Sequence, residues 1–184
     1  MSNFSIKEKT TPDYHVTNLK FHFRTSQDIN FQIFENSPEL IFYVKKGNKI
    51  LRTCEAVFCF LGQYNSRYVN VTGVKSWKSA KNAIIFFEKI SKIDKKYYYD
   101  FSIDVISLKS KIEAGKKEKF LKNNSAHFSV FSGPRFPATF LKKTSGVHAT
   151  ISYFNSSGVI IVNGLKNLQD FKPMMDLLKN EYDL

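Results

Sequence analysis

Two cysteines, Cys54 and Cys59, and four histidines, His15, His22, His127 and His148, are the side chains of this 184-residue chain best suited to nucleophilic or metal chemistry. Their spacing supports neither use. There is no His-x-x-x-His or Cys-x-x-Cys pair, no Gly-x-Ser-x-Gly elbow and no glycine-rich phosphate loop. A cysteine in a Phe-rich strand is usually buried as a small apolar residue. The chain therefore reads as a non-enzyme with no cofactor and no metal. Its other chemistry is charge: 28 Lys and Arg against 16 Asp and Glu, a formal net charge of +12. Such an excess favours a polyanion, nucleic acid or an anionic membrane face. The competing reading is that the lysines only keep a Phe-rich domain soluble.

Nothing in the sequence is long and apolar enough for a transmembrane helix. The first residues, "MSNFSIKEKTTPD", lack the apolar core of a secretory signal. Two cysteines are too few for a secreted disulfide scaffold. The expectation is an intracellular, reduced protein with no membrane partner.

The elements that would carry a binding face come in two copies. Aligning Gly73 with Gly164 sets "VNVTGVK" (69–75) against "IIVNGLK" (160–166), and Ala83, Ile84, Phe86 and Phe87 against Met174, Met175, Leu177 and Leu178. Each copy reads as a β-branched strand, a glycine turn and an amphipathic helix. Ser76 is the expected N-cap of the first helix. Pro173 forces the second to begin late, with Asp170 as cap and the proline in the first turn. Upstream, 14–21 pairs with 101–108, 37–46 with 133–143, and 54–60 with 149–154, all reading as strands. Short helices are expected at 26–36 and 115–124. Two copies of about 90 residues are too long for solenoid units. They suit an α+β domain of two pseudo-twofold repeats, 13–95 and 96–184, after an N-terminal tail (1–12) expected to be disordered. Their strands would join in one curved antiparallel sheet with the helices on its convex side.

The duplicated "TGVK" and "NGLK", with "RFPATFLKK" and "ISYFNSSGVIIVNGLK" in the second half and "VTNL" in the first, resemble the TATA-box-binding protein (TBP) family. The likeness runs from about Tyr14 to Leu184, nearly the whole chain. It implies a saddle whose concave sheet sits on the minor groove of AT-rich double-stranded DNA and bends it by wedging apolar side chains between base steps.

Residue by residue, the resemblance places Phe136 and Phe154 as the second-half wedges, with Ile41 and Phe60 in the first. Minor-groove contacts fall to Asn18, Phe58, Asn70, Thr72, Val105, Ser152, Ile161 and Asn163. Val105 stands where the family has a second asparagine and cannot donate to a base; Asn163 or Asn70 is expected to replace that contact. Lys45, Lys46, Lys75, Lys142, Lys143 and Lys166 are expected on phosphates.

The resemblance further implies, as partners, the RNA polymerase machinery and a factor IIB-like protein. "FSGPRFP" lacks the acidic residues that family members present to factor IIB, so a non-standard partner is expected. Such a protein would act in a nucleus, or, if viral, in a nucleus or a cytoplasmic replication site. The alternative is a saddle-fold protein-interaction module that has lost DNA kinking.

Overall fold

The computed structural model describes residues 14–112, 124–132, 138–143, 146–154 and 156–182. They fall into two compact units: Asn18–Asp104, and residues 14–17 together with the chain from Val105 onward. The tail 1–12 and nearly all of the helix candidate 115–124 lie outside the described residues.

The first unit contains β1 (His15–Thr25), α1 (Gln32–Glu35), β2 (Ile41–Lys45), β3 (Asn48–Arg52), β4 (Val57–Phe60), β5 (Tyr68–Val74) and α2 (Trp77–Ser91). It also takes the first part of β6 (Tyr98–Lys111). The rest of β6 opens the second unit, followed by β7 (Phe128–Ser132), β8 (Ala138–Lys143), β9 (Thr150–Phe154), β10 (Val159–Leu165) and α3 (Phe171–Tyr182). Strand order is β2-β3-β4-β5-β1 in the first unit and β7-β8-β9-β10-β6 in the second, so one antiparallel order occurs twice. Among the described residues no helix is long and apolar enough to cross a bilayer.

The duplicated glycine has a geometric explanation. Leu19 pairs with Val74 and Phe21 with Val71, so Thr72 and Gly73 together face Lys20 alone. Leu165 pairs with Ile106 and Val162 with Leu108, so Asn163 and Gly164 face Ser107 alone. Each copy is a β-bulge whose glycine has a positive φ, 82° at Gly73 and 94° at Gly164. Glycine accepts that conformation without the penalty a Cβ would bring.

The two long helices, α2 and α3, start where the sequence predicts. Ser76 Oγ accepts from the Ser79 N–H at 3.0 Å, while Ser79 Oγ accepts from the Ser76 N–H at 3.0 Å, a reciprocal cap for α2. A short 3₁₀ turn, Leu168–Asp170, leads into α3, and Pro173 lies in its first turn. The helix expected over 26–36 is reduced to four residues. Asn30 Oδ1 accepts from the Gln32 N–H at 3.2 Å, a local turn that competes with helix before that point.

In the first unit the core is a ring cluster around Phe87 of α2. Phe58, Phe23 and Phe60 lie 5.0, 5.6 and 5.8 Å from it between centroids, all fully buried. In the second, α3 buries Phe171, Met174, Met175, Leu178 and Tyr182. Ile151, Tyr153, Ile160 and Val162 alternate inward on β9 and β10 to complete that core.

Candidate nucleic-acid interface

Side chains alternate along each strand, so the face opposite the helix can be read from the pairing register. In the first unit one row across that face is Tyr43, Ile50, Cys59, Asn70 and His22. The matching row in the second unit is Phe131, Phe140, Ser152, Ile161 and Lys109. Asn70, Thr72, Ser152, Ile161 and Asn163 are therefore on helix-free faces, each with its own unit. Ser152 is almost covered by its neighbours, whereas Asn18, Asn70, Thr72, Val105, Ile161 and Asn163 are half-buried.

Phe58 and Phe60 require correction. Both are fully buried beneath α2, on the opposite side of the sheet from Asn70 and Thr72. The cause is a phase error of one residue. Phe154 pairs with Val159 and Tyr153 with Ile160. In the first unit Phe60 pairs with Val69, and the Leu61 N–H donates to the Tyr68 carbonyl at 3.0 Å. With Val69 equivalent to Ile160, the counterpart of Phe60 is the buried Tyr153. The counterpart of Phe154 is Leu61. A one-residue slip moves a side chain to the other face of a sheet.

Ile41 also differs from its expected equivalence. It opens β2, whose place in the strand order is that of β7, whereas Phe136 lies in the segment before β8. Ile41 is nevertheless 64% exposed. Phe136 itself lies outside the described residues. The first-unit connection matching 133–137 is the two-residue turn Lys46–Gly47. That turn is closed: a Cβ on Gly62 would lie 2.3 Å from the Gly47 carbonyl oxygen, and the Gly62 N–H donates to Asn48 Oδ1 at 3.1 Å.

The electrostatics of the two faces diverge. On β1, Lys20, His22 and Arg24 alternate with the buried Leu19, Phe21 and Phe23. His22 Nδ1 lies 2.8 Å from Asp104 Oδ1, and Lys20 Nζ lies 3.9 Å from Asp104 Oδ2. Arg24 Nε lies 3.1 Å from Asp100 Oδ2, its guanidinium 5.4 Å from the Tyr68 ring centre. The His22 ring stacks on Tyr68 at 4.7 Å. This face is a lattice of paired charges. Its second-unit counterpart carries Phe131, Phe140, Phe154, Val159 and Ile161 with Lys109 and Lys142. No carboxylate occurs on the described strands of that face. Phe131 is 57% exposed.

Of the remaining lysines, Lys45, Lys46, Lys75, Lys142 and Lys166 are exposed and Lys143 is half-buried. Lys46 has a positive φ of 51° in its turn. Burial pushes the Cys59 thiol up, while Lys20 pulls it down less strongly, so the thiolate a nucleophile needs is disfavoured. Among the described residues no group of three or more His, Cys, Asp or Glu side chains could hold a metal ion.

Sequence reasoning overlooked His22, Arg24, Phe131, Phe140 and Lys109. The strict alternation of "LKFHFRT" (19–25) was sufficient to find the first two.

Comparison with solved structures returns the TBP of Methanococcus jannaschii at a TM-score of 0.69. The match has 18% sequence identity over 94% of this chain and 99% of that one. No protein-family model and no curated protein matches the sequence. The chain thus has a TBP-like fold, an antiparallel sheet architecture with few helices.

Proposed function

We propose that this protein is a TBP-like DNA-binding transcription factor that bends AT-rich duplex DNA through its second unit. The two units form a pseudo-twofold saddle, with helices on the convex side and the helix-free faces towards the minor groove. One observation carries the reading: the helix-free face of the second unit is apolar, lysine-flanked and without carboxylates on its described strands. A minor groove opened by unstacking takes apolar wedges, and asparagine amides suit its N3 and O2 acceptors. Phe154 and Phe136 act as the wedges, Asn163 reads base edges, and Ser152 and Ile161 fill the floor. The first unit contributes polar contacts from Asn18, Asn70 and Thr72. The six lysines at 45, 46, 75, 142, 143 and 166 contact phosphates. Polymerase machinery and a factor IIB-like protein bind elsewhere on the protein.

Energy transfer across an end-labelled AT-rich duplex tests this. Wild-type protein brings the ends together, whereas Phe154→Ala and Phe136→Ala/Phe154→Ala bind with little shortening. If wild type at saturation leaves the end-to-end distance unchanged, the kinking reading fails. The paired charges of the first unit then favour a saddle-fold module that binds protein instead. Contact with about 4–6 phosphates predicts a log–log salt slope of roughly −4 to −5.

A further inference from the structure

The second unit holds a cleft of about 910 Å³ whose α3 side the DNA reading leaves unused, although Lys109 and Val159 of its lining also belong to the helix-free face. Its walls are one stripe of α3, the start of β1, the Lys109–Lys111 end of β6 with Ile112 after it, and the beginning of β10. Along α3 the lining residues are Phe171, Lys172, Met175, Asp176 and Lys179, which recur at the spacing of a single helix face. Tyr14 packs on Phe171 with ring centres 4.5 Å apart and, with Leu168 and Ile112, gives the cleft a partly open apolar floor.

Charge around that floor is strongly one-sided. Lys109, Lys111, Lys172 and Lys179 line the cleft, with Asp176 as the only carboxylate among the described lining residues. None of these lysines has an ion-pair partner among the described residues. A basic rim around an apolar floor is complementary to a segment whose carboxylates flank apolar side chains. A nucleic-acid backbone would use the lysines but leave the floor without an occupant. Of the chain segments flanking the cleft in sequence, 113–123 carries four Lys against two Glu and 1–13 is balanced at two Lys against Glu8 and Asp13, so neither is a net-acidic occupant.

We infer that this cleft is a docking site for an acidic peptide segment of a partner protein, with alternating carboxylate and large apolar side chains. Apolar side chains seat on Tyr14, Leu168 and Ile112, and the carboxylates meet Lys172 and Lys179 on one side and Lys111 on the other.

The probe is a fluorescein-labelled synthetic peptide in which Asp and Glu alternate with Leu and Phe, followed by fluorescence anisotropy. Two controls accompany it, one with Ser at every apolar position and one with Lys at every acidic position. Wild type is expected to bind the probe and to bind the Ser peptide about tenfold more weakly or worse. Lys172→Glu/Lys179→Glu is expected to lose about tenfold in affinity for the probe and to gain affinity for the Lys peptide. That gain, with an unchanged melting temperature, separates a changed site from a misfolded one. Equal binding of the probe by the variant, or equal binding of the Ser peptide by wild type, overturns the proposal. So does loss of duplex-DNA affinity in the variant with no change in peptide binding, which would assign the lysines to nucleic acid. End-to-end shortening of AT-rich DNA is read separately. It should survive the double substitution, so failure at the cleft and failure of DNA bending remain distinguishable.

Discussion

The two units share a strand order and a glycine bulge but present different helix-free faces. The first pairs Lys20 and His22 with Asp104, and Arg24 with Asp100. The second sets Phe131, Phe140 and Ile161 in line with Lys109 and carries no such described acids. At the hairpin ends the contrast repeats. The first unit closes through Lys46–Gly47 and Gly62, while the second has the longer 133–137 connection containing Phe136. A duplicated backbone therefore does not enforce duplicated chemistry. Buried positions are constrained by packing in both copies, whereas the open face can diverge at little cost in stability.

The largest expected effect tests the corrected phase of β4. Phe60→Ala should lose about 3–5 kcal/mol of stability, because it empties the cluster around Phe87. Leu61→Ala and Phe154→Ala, on half-buried positions, should each lose much less; urea denaturation of the three variants orders them. If Phe60→Ala were nearly neutral, Phe60 would belong on the open face and the contrast between units would weaken.

The glycines come next. Gly62→Ala should cost about 2 kcal/mol or more, since its Cβ would meet backbone at the Gly47 carbonyl. Gly164→Ala should exceed Gly73→Ala, at about 1–3 kcal/mol against about 1 kcal/mol. Both positions have positive φ, but only Gly164 would bring a Cβ to 3.1 Å from a backbone oxygen, that of His148. Thermal melts of the pair test whether the two bulges are equally constrained.

Asp104→Asn bears on the electrostatic difference itself. Freeing Lys20 and His22 from their shared acid should raise AT-rich duplex affinity by about three- to tenfold at low salt, with the gain shrinking as salt increases. No gain in a salt titration would mean that the first unit's open face does not meet DNA.

The smallest effect concerns Glu181 of α3, a second-unit ion pair placed away from the open face. Burial raises its pKa, but hydrogen bonds from Ser125 and His127 outweigh that and hold the carboxyl below its usual range. The folded state therefore prefers the ionised form. The resulting stability is present above the unfolded value near 4.5 and is lost as pH falls through the lower folded value. Glu181→Gln should be slightly less stable at pH 7, and the difference should disappear towards pH 3 in denaturant titrations.

Much of the fold was legible in sequence because hydrophobic period and punctuation are local properties. Ser76 and Pro173 announced a helix start and a helix first turn, whereas Gly73 and Gly164 read as turns and are bulges inside β5 and β10. "LKFHFRT" even revealed which side of β1 is buried. "VFCF" (57–60) did not, since apolar residues occupy both phases of its alternation and period alone cannot choose between them. Phe31 and Phe42, stacked at 5.8 Å, were equally silent about the side they would join.

By itself, then, the sequence determined the strand and helix types, the duplication and the excess of positive charge, all of which depend on composition and near neighbours. Tertiary structure alone decided which face a strand such as "VFCF" presents, because the rings of Phe87, Phe31 and Phe34, distant in sequence, take Phe58 and Phe60 into the core. It also brought Asp104 to His22 across 82 positions, neutralising one face and leaving the other apolar. Contacts at that separation depend on how the chain returns upon itself, which no local pattern encodes.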